Sequence, residues 1–150
     1  MSFQFSLQRL LNLQERLEQE AGIELARLHT LVSEAKHKLR EQEKQREQQL
    51  AAWRERIQGD LDVNELELHH RWLAVLDEAI MRQEMAIEEL QTAVEEQRAE
   101  YLTLRRKRET LDKLRENEYS KFQKDLLKRE QRELDDIAST RFVRREALTP

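Results

Sequence analysis

Apolar residues recur every three or four positions over two long stretches of the chain, with one interruption between them. In the first stretch Leu7, Leu11, Ala21, Leu25, Leu28, Val32, Ala35 and Leu39 are separated by threes, fours and their sums. Such spacing returns to one face of an α-helix, so it predicts a helix with a single apolar stripe. The stripe thins over residues 40–50, where the same positions carry Gln42, Arg46 and Gln49, and resumes at Leu50, Trp53 and Ile57. In the second stretch Leu66, Leu73, Ile80, Ile87, Val94 and Tyr101 follow one another at strict intervals of seven. His69, Leu76, Gln83, Leu90, Gln97 and Leu104 stand three residues behind them. This alternation of threes and fours is the seam of a coiled coil, in which polar Gln83 and Gln97 weaken packing but can fix the register.

The ends of the helices follow from local chemistry. Ser6 has a hydroxyl suited to cap a first turn, and Phe5 and Leu10 stand at the two positions of a hydrophobic staple, which starts helix one at about residue 6. Gly59 can end it near residue 58 by taking a left-handed conformation, and Asp62 with Glu65, or Asn64 with Glu67, can open the next helix as a capping box. A turn over 59–63 then leads into helix two, expected over about 64–138 and followed by a flexible tail at 139–150. Folded back at this single break, residue i lies beside residue 123 − i or so. Helix one therefore runs out opposite residue 117, and the rest of helix two overhangs. Beyond Leu111 the apolar positions shift phase to Leu114, Phe122, Leu126, Leu134 and Ile137, a change resembling a stutter. The expected fold is all-α: one domain formed by a long antiparallel two-helix coiled-coil hairpin with an overhanging C-terminal helical segment.

Composition narrows the picture without changing it. Charged residues make up 39% of the chain and aromatic ones 5%, with two glycines and one proline, so no thick globular core can form. The charges are intermixed and sum to only −4, which argues against a self-repelling disordered coil. A pI near 5.7 weighs against a nucleic-acid binder. No cysteine is present, so disulfides and thiolate metal sites are excluded. The opening residues lack the basic flank and apolar run of a secretory signal, and no stretch approaches a membrane span, which makes a cytoplasmic protein the default.

Catalytic chemistry finds no foothold. There is no glycine-rich phosphate loop, no paired-histidine zinc motif and no calcium loop, so neither enzyme activity nor a cofactor is expected. His69 and His70 are adjacent and point to different sides of a helix, so they cannot chelate one ion; His69, at a seam position, reads as a hydrogen-bonded core histidine. The basic runs Arg105 to Arg108 and Arg141, Arg144 and Arg145 fit either solvated helix surface, balanced by Glu109 and Asp112, or a docking patch for an acidic surface. Trp53 and Trp72 come close together near the turn. They either stack on each other or serve a binding surface, for Trp72 begins a stripe with Leu76, Ala79 and Gln83.

Three segments together resemble the FliJ family of flagellar type III export proteins, over roughly residues 3–146. They are the opening Phe3-Gln4-Phe5-Ser6-Leu7-Gln8-Arg9-Leu10-Leu11, the stretch from Leu68 through Trp72 and Leu76 to Ile80, and the closing Arg129 to Ala138 followed by Arg141 to Arg145. The resemblance implies a cytoplasmic component of the export apparatus, peripheral at the inner face of the membrane and without insertion into it. It implies a stalk that enters the ring of the export ATPase hexamer with its terminal end, touches the cytoplasmic domain of the export gate with the other, and escorts export chaperones. The gate contact would use Trp72, Leu76, Ala79 and Gln83. Gln42, Gln45 and Gln49 stand on the facing helix, where the family often has aromatic or apolar residues. The ATPase contact would use Phe5, Leu10, Phe122, Leu126, Leu134 and Ile137, where the apolar stripe outlasts its intramolecular partner. The alternatives are the stalk of an injectisome and a purely structural coiled-coil scaffold.

Overall fold

The computed structural model describes residues 2–59 and 62–149. Among them the chain is all-helical, with α1 over Gln8–Arg56 and α2 over Val63–Leu148 packed against each other as a helical hairpin. Asp60 and Leu61, at the expected centre of the reversal, lie outside the described residues. Gly59 does not take the left-handed conformation expected of it; its N–H instead bonds the Arg56 carbonyl as α1 tightens into a final turn. Asp62 caps α2 as expected, its carboxylate accepting from the Asn64 N–H at 3.2 Å, but Glu65 does not close a capping box and reaches Arg56 at 3.0 Å. Contrary to the flexible tail expected at 139–150, α2 continues to Leu148. Gly59 and Pro150 bound a run free of helix breakers, and the Thr149 hydroxyl bonds the Arg145 carbonyl at the last turn.

The chain packs as two compact units: residues 1–18 with 104–150, and residues 19–103.

In the 19–103 unit the seam runs where the sevens place it. Ala21, Leu28 and Ala35 of α1 are buried, with Leu25, Val32 and Leu39 half-buried on the same stripe; Leu76, Ile87 and Val94 of α2 are buried, with Leu73, Ile80 and Leu90 half-buried. Both polar seam residues have a defined task. The Gln83 amide donates to the Ala35 carbonyl at 3.0 Å, and the Gln97 amide to the Ala21 carbonyl at 3.3 Å. A long side chain opposite alanine can reach the facing backbone, and a slip of either helix would break both bonds, so the pair sets the register. Gly22 serves the same seam, for a Cβ there would stand 3.4 Å from the Tyr101 ring.

In the 1–18/104–150 unit Phe5, Leu11 and Leu111 form a buried cluster with Phe3 packed on it. The Phe3 ring meets Tyr119 edge-on at 5.1 Å and lies 5.6 Å from Phe122. The staple of Phe5 on Leu10 is not what forms, since Phe5 turns to Leu11 and Leu111 while Leu10 stays exposed. Ser6 likewise looks across to α2: its hydroxyl donates to Glu118 Oε1 at 2.8 Å, pinning the N-terminal segment rather than capping α1.

The stutter expected after Leu111 does not occur in the paired region. Burial keeps the old register at Arg108, Leu111, Glu118 and Phe122, with Arg115 of the same series exposed, while Leu114 is also exposed. Arg108 occupies a seam position, bonding Glu18 of α1 and, at 2.6 Å, Asp112 one turn on. The change of phase belongs to residues beyond Phe122, which have no facing helix: positions 123–149 are all exposed. At 1.5 Å per residue this overhang is about 40 Å of lone helix.

Candidate interaction surfaces

Two surfaces stand out, one in each unit. The first lies where α1 ends and α2 begins, in the 19–103 unit. Gln49, Ala52, Trp53 and Arg56 of α1 and Glu65, Leu68, His69 and Trp72 of α2 line an open cleft of about 270 Å³. Its floor is a flat stack of Trp53 on His69, ring centroids 4.2 Å apart and planes within 10°. The stack on Trp53 is therefore made by His69 and not by Trp72. His69 is also not the hydrogen-bonded core histidine expected: its Nε2 is buried with no partner among the described residues. Burial, and then the neighbouring His70, push its pKa below the usual imidazole range, so the ring is held neutral.

Trp72 stands on the rim of this cleft, 50% exposed. The residues grouped with it divide. Leu76 is only 6% exposed and sits in the seam, Gln83 is engaged with the Ala35 carbonyl, and Ala79 is half-buried. The outward face around Trp72 consists instead of Leu68 and Val75, four before and three after it, both well exposed. Sequence reasoning passed over these two, although the seven-residue arithmetic that places Leu76 and Gln83 inward also turns Leu68 and Val75 outward. On α1, Gln49 is exposed and lines the cleft and Gln45 is exposed, while Gln42 is half-buried with an unpartnered Oε1.

The second surface belongs to the other unit. Of the residues assigned to it, Phe5 is buried in the aromatic–leucine cluster and Phe122 is half-buried beside Phe3, so both hold the N-terminal segment onto α2. Leu10, Leu126, Leu134 and Ile137 are exposed, and Leu127, Phe142, Val143 and Leu148 extend the apolar surface along the overhang. Arg105 pairs with Glu109 and Arg108 with Glu18 and Asp112, whereas Arg141, Arg144 and Arg145 flank Phe142 and Leu148 on an exposed face.

Charge is distributed unevenly between the units. Residues 1–18 with 104–150 carry 16 Lys and Arg against 12 Asp and Glu, and residues 19–103 carry 11 against 19. One unit is thus net basic and the other strongly acidic, a contrast hidden in the overall −4. Among the described residues no cluster of metal-ligating side chains is found and no helix is long and apolar enough to cross a membrane.

A long two-helix coiled coil with partner-sized apolar surfaces is the build of an interaction protein. The model of one family, the flagellar FliJ protein, matches residues 3–147. The chain belongs to the FliJ family, as the resemblance implied, and is a component of the flagellar export apparatus; the family is structural and not known for enzymatic activity. Comparison with curated proteins and with solved structures found no match.

Proposed function

We propose that the chain is a stalk between the export ATPase ring and the cytoplasmic domain of the export gate, escorting export chaperones from a position peripheral to the membrane. The observation that carries this reading is the overhang. Residues 123–148 continue as helix with Leu126, Leu134 and Ile137 exposed and nothing packed on them. Apolar helical surface of this extent is characteristic of a docking segment. Leu10 and these three residues contact the ATPase in this reading, while Phe5 and Phe122 position them. The net basic charge of this unit favours an acidic surface on the ring.

The gate contact falls on the tip cleft, with Trp72 as the aromatic anchor, Leu68, Val75 and Ala79 beside it, and Leu76 and Gln83 holding that helix in place from behind. Gln45 and Gln49 supply a polar rim from α1. The family match favours the flagellar system over an injectisome. Removal of residues 123–150 tests the reading, because it spares the packing of Phe3 on Phe122. The truncated chain is expected to lose co-purification with the export ATPase, keep binding to the gate domain, and melt with the remaining helix intact. Retention of ATPase binding at full strength refutes it.

A further inference from the structure

The overhang carries a chemical palindrome. Glu130, Leu134, Ile137 and Arg141 are spaced by four, three and four, which places them in one line on α2, and all are exposed, Leu134 by 60% and Ile137 by 52%. Read from the middle outward, the order is apolar then acidic in one direction and apolar then basic in the other. A two-fold axis between Leu134 and Ile137 requires this arrangement. A second overhang laid antiparallel sets Leu134 against Ile137 of the second copy, and Ile137 against its Leu134. The same step places Glu130 against Arg141 of the second copy, and Arg141 against its Glu130. One turn further out Leu127 lies under Arg144 of the second copy, whose aliphatic stem can cover it while the guanidinium stays in water.

We propose that the chain self-associates through this segment into an antiparallel, isologous dimer. Orientation follows from charge: a parallel pair would set Glu130 on Glu130 and Arg141 on Arg141 around the same apolar centre, and like charges directly opposed are unfavourable. The choice of occupant follows from symmetry. Only a copy of the same helix presents the same four residues in reverse order, and a closed two-fold contact uses one patch twice. The contact is short and is flanked by solvated charges, so the dimer is weak and concentration-dependent, as small interfaces are. The inference rests on the overhang's own spacing and stands whichever protein uses that segment in the export apparatus.

Sedimentation equilibrium of the full chain alone, from about 1 µM to several hundred µM, tests it. The average mass is expected to rise from 18.2 kDa toward twice that value. Glu130→Arg and Arg141→Glu should each weaken the dimer at least tenfold, and the doubly swapped chain should regain the original constant within about threefold, because the pairs re-form with reversed sign. Circular dichroism should show unchanged helicity in all three variants, since both positions are exposed. A mass of 18.2 kDa throughout, or a dimer indifferent to the single reversals, or a double swap no tighter than the singles, overturns the proposal.

Discussion

Trp72 and Leu76 lie one turn apart on α2, yet one faces solvent and the other the seam, and this contrast yields a two-sided prediction. A tryptophan side chain can bury roughly 150–250 Å², so a ring that is 50% exposed leaves about 75–125 Å² for a partner to cover. At ~25 cal/mol per Å² that surface is worth about 2–3 kcal/mol of binding, or roughly 25- to 200-fold in affinity. Trp72→Ala is therefore expected to weaken binding of the gate's cytoplasmic domain by roughly 25- to 200-fold, while costing the fold only about 1 kcal/mol. Leu76, at 6% exposure, behaves in the opposite way. Its truncation leaves a cavity in a thin seam that can partly collapse, so the cost falls near the low end for buried leucine, about 2–3 kcal/mol, and lowers the melting temperature by roughly 10 °C. Below the melting transition Leu76→Ala should bind the gate domain within about threefold of the parent. Calorimetric titration against that domain, beside thermal melts by circular dichroism, measures both. The reasoning fails if Leu76→Ala weakens binding without moving the melt, or if Trp72→Ala lowers the melt and spares the affinity.

Other outcomes follow from the remaining contacts. Glu18→Ala leaves Arg108 at a seam position with only Asp112, and should destabilise the chain by about 1 kcal/mol, a loss that Arg108→Leu on the same chain should recover in a double-mutant melt. Gln83→Leu and Gln97→Leu together should raise the melting temperature by replacing part-buried amides opposite Ala35 and Ala21 with apolar side chains, yet broaden the spin-label distances across the seam, since the two bonds that fix the register are gone. His69 has a folded pKa below its unfolded value. Its neutral form is the stable one in the fold, and stability present above the unfolded pKa of about 6.5 is lost as the pH falls toward the folded pKa. The melting temperature should thus decline between pH 7 and 5, and His69→Phe, which keeps the stack on Trp53, should flatten that slope.

Both helices and the main seam were legible because strict sevens from Leu66 to Tyr101 admit one reading, and burial follows them from Leu73 onward, with Leu66 exposed next to the turn. What misled was polarity at seam positions. The interval continues from Tyr101 to Arg108, but a search for apolar residues passes over an arginine whose head bonds Glu18, and so a stutter was inferred where the register persists. The helix starting near Ser6 failed to be capped by it for a related reason, for Glu118 lies distant in sequence and only folding brings it within reach. The tip surface was half legible. Trp72 is visible as an aromatic beside the seam, but the stripe drawn through it took in Leu76 and Gln83, which the heptad already assigns inward, and left out Leu68 and Val75. The helical state of residues 139–148, expected as a flexible tail, follows from a run without glycine or internal proline in which helix formers propagate the helix.

The overhang has a consequence for how long a copy of the protein survives. Helices in proteins draw most of their stability from tertiary packing, which the described residues beyond Phe122 lack, so backbone bonds and one-turn contacts such as Gln131 to Asp135 hold this segment closed. Amides there exchange with solvent through local openings that cost far less than unfolding either packed unit. Each opening presents lysine and arginine bonds, among them those of Lys124, Lys128 and Arg132, to trypsin-like proteases. Any partner that covers Leu134 and Ile137 would close that window, so trypsin trimming of the overhang is expected to slow in proportion to the fraction of chain that is bound.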